Sequence, residues 1–239
     1  GDYAIGAPVW IENPTSITDT LSIRPIADIR GVDANGVPLM NGQMVTISGV
    51  VTVATGNYSK TSNVVYIQDA TGGINIYEEN KQTFYVEEGD SVIVTGIISH
   101  FYGLLEIINP VVTMIAKNQP LPEPLVLTTY QVTRYGELYE GQLIRVNNVK
   151  IVDGKSFPSA TSGKGATIMI DDGSGTTYLQ IDDDVDICGK PTPNGAFSVI
   201  GVLEQIDLEN GAPYTSGYRI KPRRYSDLLS GFENSETYV

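Results

Sequence analysis

The chain holds one cysteine, one histidine and one tryptophan among 239 residues, and each scarcity excludes something. Cys188 alone cannot close an intramolecular disulfide, and a lone half-apolar thiol reads as a packed residue rather than a reactive one. His100 alone removes every site that needs two histidines, multi-histidine metal centres included. Basic residues are also few, 15 Lys and Arg against 28 Asp and Glu, for a formal net charge of −13. Residues 1–120 carry 5 basic and 12 acidic groups, and residues 121–239 carry 10 and 16. Both halves are therefore acidic, and neither presents the net field that attracts phosphate, although a local basic patch remains compatible with that balance. No apolar run approaches the roughly 18–20 residues of a membrane span.

What is present favours β structure. Tyrosine reaches 14 against 5 phenylalanines, and 25 glycines accompany abundant Val, Ile and Thr; such residues suit strands joined by tight turns. The length accommodates one large β domain or two domains of roughly 100 residues. The chain starts at Gly1 and is poor in lysine and rich in Thr, Ser, Asn, Tyr and Gly. That pattern predicts an extracellular, secreted protein whose signal peptide has been removed.

Val65–Tyr77 is the clearest local element. β-Branched and aromatic residues run up to Asp69, Gly72 and Gly73 reverse the chain, and an alternating apolar run leaves. A weaker copy occupies Thr167–Leu179. Other landmarks repeat in the same order. Gly141–Val146 answers Gly42–Ile47, Ala196–Leu203 answers the strand around Gly96, and Tyr218–Pro222 answers Glu106–Pro110. Four landmarks in one order predict an internal duplication, five glycine-marked strands per unit, closing into two β barrels. Gly49, inside the long run Gln43–Ala54, predicts a bulge or sharp coil. Pro110 predicts the end of the strand that begins at Leu104. Ile23–Arg30 reads as a short helix or lead-in.

The predicted organisation is an N-terminal extension over 1–22, a first barrel over 23–115, a Pro-rich linker over 116–125, a second barrel over 126–230 and a tail over 231–239. Within the extension, Tyr3, Ile5, Val9, Trp10 and Ile11 form two apolar bursts that are candidate subunit contacts. Three prolines among five positions make the linker semi-rigid.

The segments "VTISGVVT", "VYIQDATGGINIY", "GDSVIVTGIIS" and "GLLEI" resemble the OB-fold units of bacterial secreted proteins, and "YRIKPRRYSDLL" is similar to the way such units close. The resemblance covers 24–115 well and 126–230 less well. It implies tandem five-stranded OB-fold-like Greek-key barrels, an all-β class. Some such units stand beside endonuclease/exonuclease/phosphatase domains in extracellular nucleases. That catalytic domain is not within this sequence, so its activity does not carry over.

Candidate chemistry is thin. Asp182, Asp184 and Asp186 would share one face of an extended segment and could offer hard oxygen ligands to Ca²⁺. The glycine and distant glutamate of a calcium loop are missing, so a solvated acidic loop is the preferred reading and no cofactor is expected. Asp69 and Asp171–Asp172 fall at hairpin turns, where aspartate bonds nearby backbone N–H groups. Arg219, Lys221, Arg223 and Arg224 form the one basic cluster, beside Tyr218 and Tyr225, and such interleaving suits phosphates and bases. Tyr58, Tyr66 and Tyr77 are candidates for a ligand face on the second and third strands of the first barrel. No catalytic set emerges, and the chain is not expected to be an enzyme. The leading expectation is an extracellular structural protein that assembles with copies of itself through strand edges and tails, as far as a filament. The alternative is an accessory module of a secreted nuclease that binds single-stranded DNA or another nucleic acid, or a glycan.

Overall fold

Alternation in Met44–Val53 starts the first barrel. The computed structural model describes residues 22–208 and 211–230; the expected subunit contacts Tyr3, Ile5, Val9, Trp10 and Ile11 lie outside them. Ile23–Arg24 (β1) pairs in parallel with Met44–Val53 (β2), and a 3-10 turn over Ile26–Ile29 follows β1. β2 sends Val45, Ile47 and Val51 into the barrel. It pairs with Ser91–Phe101 (β5) as far as Val50, and from Val50 onward with Asn63–Gln68 (β3). The handover falls at Gly49–Val50, the coil its glycine predicts, and a bulge between Val51 and Val53 then turns Val53 toward the second domain.

The rest of the first sheet follows from period-2 burial. Gly73–Glu78 (β4) pairs antiparallel with β3, and Leu104–Ala116 (β6) pairs parallel with β4 and antiparallel with β5. The closed order is β2-β3-β4-β6-β5 and back to β2, with β1 added outside. β6 does not end at Pro110 as expected. Asn109 takes a left-handed conformation (φ 50°) at the irregularity opposite Thr95–Ile97, and the strand continues to Ala116. A proline is tolerated there because the ladder is already interrupted and β4 no longer pairs beyond Ile108.

The second barrel repeats the order. Its strands are Leu125–Leu127 (β7), Leu143–Ile151 (β8), Ala166–Asp171 (β9), Thr176–Ile181 (β10), Phe197–Gln205 (β11), Tyr218–Lys221 (β12) and Leu228–Ser230 (β13). β8-β9-β10-β12-β11 closes on β8, with β10 and β12 parallel, β7 parallel to β8, and β13 added on β11. Two all-β, OB-like barrels of one strand order are therefore present.

One helix was not anticipated. Thr129–Tyr139 (α1) starts with a capping box in which Thr128 and Gln131 exchange side-chain and backbone bonds. The hairpin turns anchor the lead-in segments alike in both barrels. Asp69 accepts from Thr71 N and Gly72 N and reaches Ile26 N at 2.9 Å; Asp172 accepts from Ser174 N and reaches Thr129 N at 3.1 Å. These aspartates do turn and capping chemistry.

The barrels meet on the outer face of β3–β4. Tyr58, Tyr66 and Val53 from the first barrel belong to the apolar cluster of the second. Gln68 Oε1 accepts from Leu143 N at 3.0 Å, and Glu140 Oε1 accepts from Leu105 N at 2.9 Å. The Arg30 guanidinium donates to Gly73 O and to the last carbonyls of α1, at Glu137 and Glu140. Gly73 and Gly141 touch through their backbones, so a Cβ on Gly73 would lie 2.1 Å from Gly141 O. Gly73→Ala should therefore wedge the barrels apart and cost about 1–3 kcal/mol, while Gly195→Ala, with open space around it, should cost far less. Paired thermal melts check this; equal melting temperatures would mean the junction yields freely.

Candidate functional site

Sequence alternation placed Arg219, Lys221 and Arg223 on one face; the strand ends at Lys221, so Arg219 and Lys221 alone follow that alternation, and all three lie against carboxylates. Arg219 Nε bonds Glu204 Oε1 at 2.8 Å. Lys221 Nζ lies 2.9 Å from Asp182 Oδ2 and 4.2 Å from the centre of the Tyr58 ring. Arg223 grips Asp227 and reaches Glu88 at 3.2 Å, and Arg224 also pairs with Glu88. Burial alone would raise the pKa of Glu204, yet Lys221 and Arg219 hold it below the ordinary carboxylate value.

Tyr58 and Tyr66, expected on a ligand face, are buried in the same junction. Tyr58 OH donates to Lys221 O at 2.8 Å and Tyr66 OH to Glu204 Oε2 at 3.4 Å. Burial pushes both phenols well above their ordinary pKa. Tyr77 is half-buried on the outer side of β4, opposite Val64. Tyr58, Tyr66, Lys221 and Arg223 thus hold the barrels together. The side of the first barrel on which OB folds commonly bind ligands is covered by the second.

Residues 182–186 are not extended either. They form turns, with Asp182 accepting from Asp184 N and paired with Lys221, and Asp186 accepting from Tyr225 N at 2.7 Å. Among the described residues no three His, Cys, Asp or Glu side chains converge as a metal site would require. Cys188 is half-buried, and burial with Asp182, Asp183 and Asp184 nearby raises its thiol pKa. The His100 ring packs at 5.2 Å from Tyr214.

The corresponding face of the second barrel is open. A cleft of about 560 Å³ lies over β9 and β10, bounded by α1 and by Ile206, Asp207, Leu208, Ser216 and Gly217 between β11 and β12. Its floor follows from alternation. Ile168, Ile170, Leu179 and Ile181 point into the barrel, so Thr167, Met169, Thr176 and Tyr178 point out. Tyr178 pairs across the ladder with Met169 and lies in register with Arg219, and it is 43% exposed.

The loop wall is held firmly. Ile206 N donates to Gly217 O, Asp207 accepts from Ser216 N and Oγ, and Gln205 Nε2 donates to Tyr214 O and Ser216 O. Thr133 Oγ1 donates to Thr176 O and ties α1 to the floor. The cleft offers one exposed aromatic plane, that of Tyr178, one guanidinium paired with Glu204 and a row of hydroxyls, a set suited to stacking and hydrogen bonding. Tyr178 was not among the expected residues. The outward period of the second hairpin could have indicated it, since that reasoning was applied to the first barrel's tyrosines.

No family model matches the chain. It is 29% identical over 190 residues to "Endonuclease YhcR" of Bacillus subtilis (strain 168), an alignment covering 77% of this chain and 14% of that protein. The chain thus spans a small part of that relative's length. Among solved structures it is similar to a murine DNA-binding protein bound with double-stranded DNA, at TM-score 0.36 and 10% identity over 74% of this chain and 91% of that one. It is also similar to an Ifi202 HINa domain in complex with 20-base-pair double-stranded DNA, at TM-score 0.33 and 15% identity over 74% and 94%. Superpositions at this level carry no argument about function. The sequence relation to part of an endonuclease, together with two OB-like barrels of which the second leaves its β9–β10 side uncovered, is what the comparisons and the fold supply.

Proposed function

We propose that this chain is a non-catalytic nucleic-acid-binding part of an endonuclease-like protein, working outside the cell, and that it holds a single-stranded segment in the cleft of the second barrel. The observation that carries the reading is the open β9–β10 side with Tyr178 beside Arg219. A nucleobase stacks on the phenol, and the threonine and serine hydroxyls serve its edges. All four residues of the basic cluster, Arg219 included, are already paired with carboxylates, and the chain is acidic. Affinity therefore comes from stacking and hydrogen bonding more than from phosphate neutralisation. The assembly reading drew in part on the apolar residues Tyr3–Ile11, which lie outside the described residues, and the relation to an endonuclease favours this alternative.

Anisotropy with a fluorescent oligothymidylate tests it. Tyr178→Ala should weaken binding roughly tenfold, in line with the stacking energy of one base, while Tyr77→Ala should leave it unchanged. The salt dependence should be shallow, with a slope of about one or two released counterions. Unchanged binding by Tyr178→Ala would overturn the cleft. A soluble oligosaccharide that displaces the oligonucleotide, or binds where none does, would transfer the cleft to a glycan.

A further inference from the structure

We propose that the first barrel supplies a second stacking station to the same strand, the Phe101–Tyr102 pair at the tip of the β5–β6 hairpin. The inference rests on the reading above and specifies it further: the ligand is a single strand long enough to cross from the second barrel onto the first. Phe101 closes β5 and Tyr102 with Gly103 forms the turn into β6. Both rings are open to solvent, Phe101 53% and Tyr102 41% exposed, and they meet edge to face with centroids 4.7 Å apart.

Two further observations set this turn apart from an ordinary exposed hairpin. Tyr102 takes a left-handed backbone conformation (φ 49°), which is uncommon for a bulky side chain and carries a steric cost. The turn is also bonded directly to the rim of the cleft. Asp207 N donates to Tyr102 O at 2.9 Å, and Gly103 pairs antiparallel with Ile206. Ile206 and Asp207 line the cleft, as does the exposed Leu208 beside them. The aromatic pair thus continues the cleft wall, on a support that fixes its backbone.

Exposed aromatic rings on a fixed turn suit successive unstacked bases, which present apolar faces whatever their sequence. A strand seated on Tyr178 and leaving past Ile206 and Asp207 meets this pair next. The first barrel, whose own ligand side is closed by the junction, would contribute to binding through its hairpin tip.

The test uses the whole chain and fluorescein-labelled oligothymidylates of 3 and 12 nucleotides. Phe101→Ser with Tyr102→Asn removes both rings, and asparagine adopts the left-handed conformation readily, so the turn keeps its geometry. The 12-mer should lose about tenfold in affinity while the 3-mer is unaffected. Equal behaviour of the two oligonucleotides in this variant overturns the inference and leaves the cleft reading standing. Failure of the unaltered protein to bind either one sinks both. A second measurement on the unaltered protein is photocrosslinking of a 5-iodouracil-substituted 12-mer. Adducts on Phe101 or Tyr102 support the path, and adducts confined to the second barrel overturn it.

Discussion

Arg223→Ala is expected to lower the unfolding free energy by about 3–5 kcal/mol, the cost of leaving a buried charge without its partner. The guanidinium sits almost wholly out of water, and four of its five N–H donors have partners. Its Nε and Nη2 take the two oxygens of Asp227 at 3.0 and 2.9 Å, and its Nη1 donates to Thr52 O and to Glu88 Oε2, both at 3.2 Å. Thr52 and Glu88 belong to the first barrel, Arg223 and Asp227 to the second. Truncation therefore strands the Asp227 carboxylate and also removes two bonds across the junction. Arg223→Lys should recover little, because a single ammonium cannot reproduce the two-pronged grip. Adding Asp227→Asn to Arg223→Ala should restore part of the loss by removing the stranded charge. Urea titrations of the four proteins measure this. A loss below about 1 kcal/mol, the range of exposed pairs, would contradict the account.

Stability should also fall as pH rises from 5 to 8. Glu140 is buried where α1 meets the first barrel, with Oε1 accepting from Leu105 N and Oε2 without a partner. Burial foremost, with the negative charge of Glu137, raises its carboxyl from 4.5 to about 8. Arg30 opposes this, but its guanidinium bonds backbone carbonyls rather than the carboxylate, and Glu204 adds a further negative charge. The sign follows from proton counts. Below pH 4.5 both states hold the proton and burial carries no charge penalty. Between 4.5 and 8 the unfolded chain releases it and the folded one retains it, so folding weakens with each pH unit. At about 1.4 kcal/mol per unit, the loss approaches about 4–5 kcal/mol by pH 8 and then levels off. Glu106, raised by burial to about 7, acts in the same direction. Glu140→Gln should flatten most of this slope and be the more stable protein at pH 8. Denaturant titrations of both proteins at pH 5, 7 and 9 check it, and parallel slopes would refute the assignment.

Much of the fold was legible because it is written at period 2. Val45, Ile47 and Val51, the two glycine-turned hairpins and the repeated order of landmarks are local patterns, and a local pattern survives whatever the barrel packs against. Two local readings failed for identifiable reasons. Pro110 was taken to stop a strand, but Asn109 had already opened the ladder there. Helix α1 is short and mostly polar, so its apolar period is faint, and its one clear sign was the Thr128–Gln131 capping box.

The site was harder to read, because period 2 says which residues share a face and is silent on what covers that face. Arg219 and Lys221 do share a strand face, as Tyr58 and Tyr66 contribute to one surface. For Lys221, Arg223, Tyr58 and Tyr66 the covering body is the other barrel; Glu88 reaches Arg223 from the first barrel, while Asp182, Glu204 and Asp227 come from the second barrel itself, Asp227 only four residues from Arg223. By itself the sequence determined the duplicated hairpins, the repeated strand landmarks and the turn role of Asp69 and Asp172, since these depend on side-chain period and short-range hydrogen bonds; the OB-like barrels were what its resemblance implied. Tertiary structure alone decided that the first barrel's ligand side is spent on the junction and the second's remains open around Tyr178. Such a choice depends on which surfaces bury each other, and that is a matter of long-range contact.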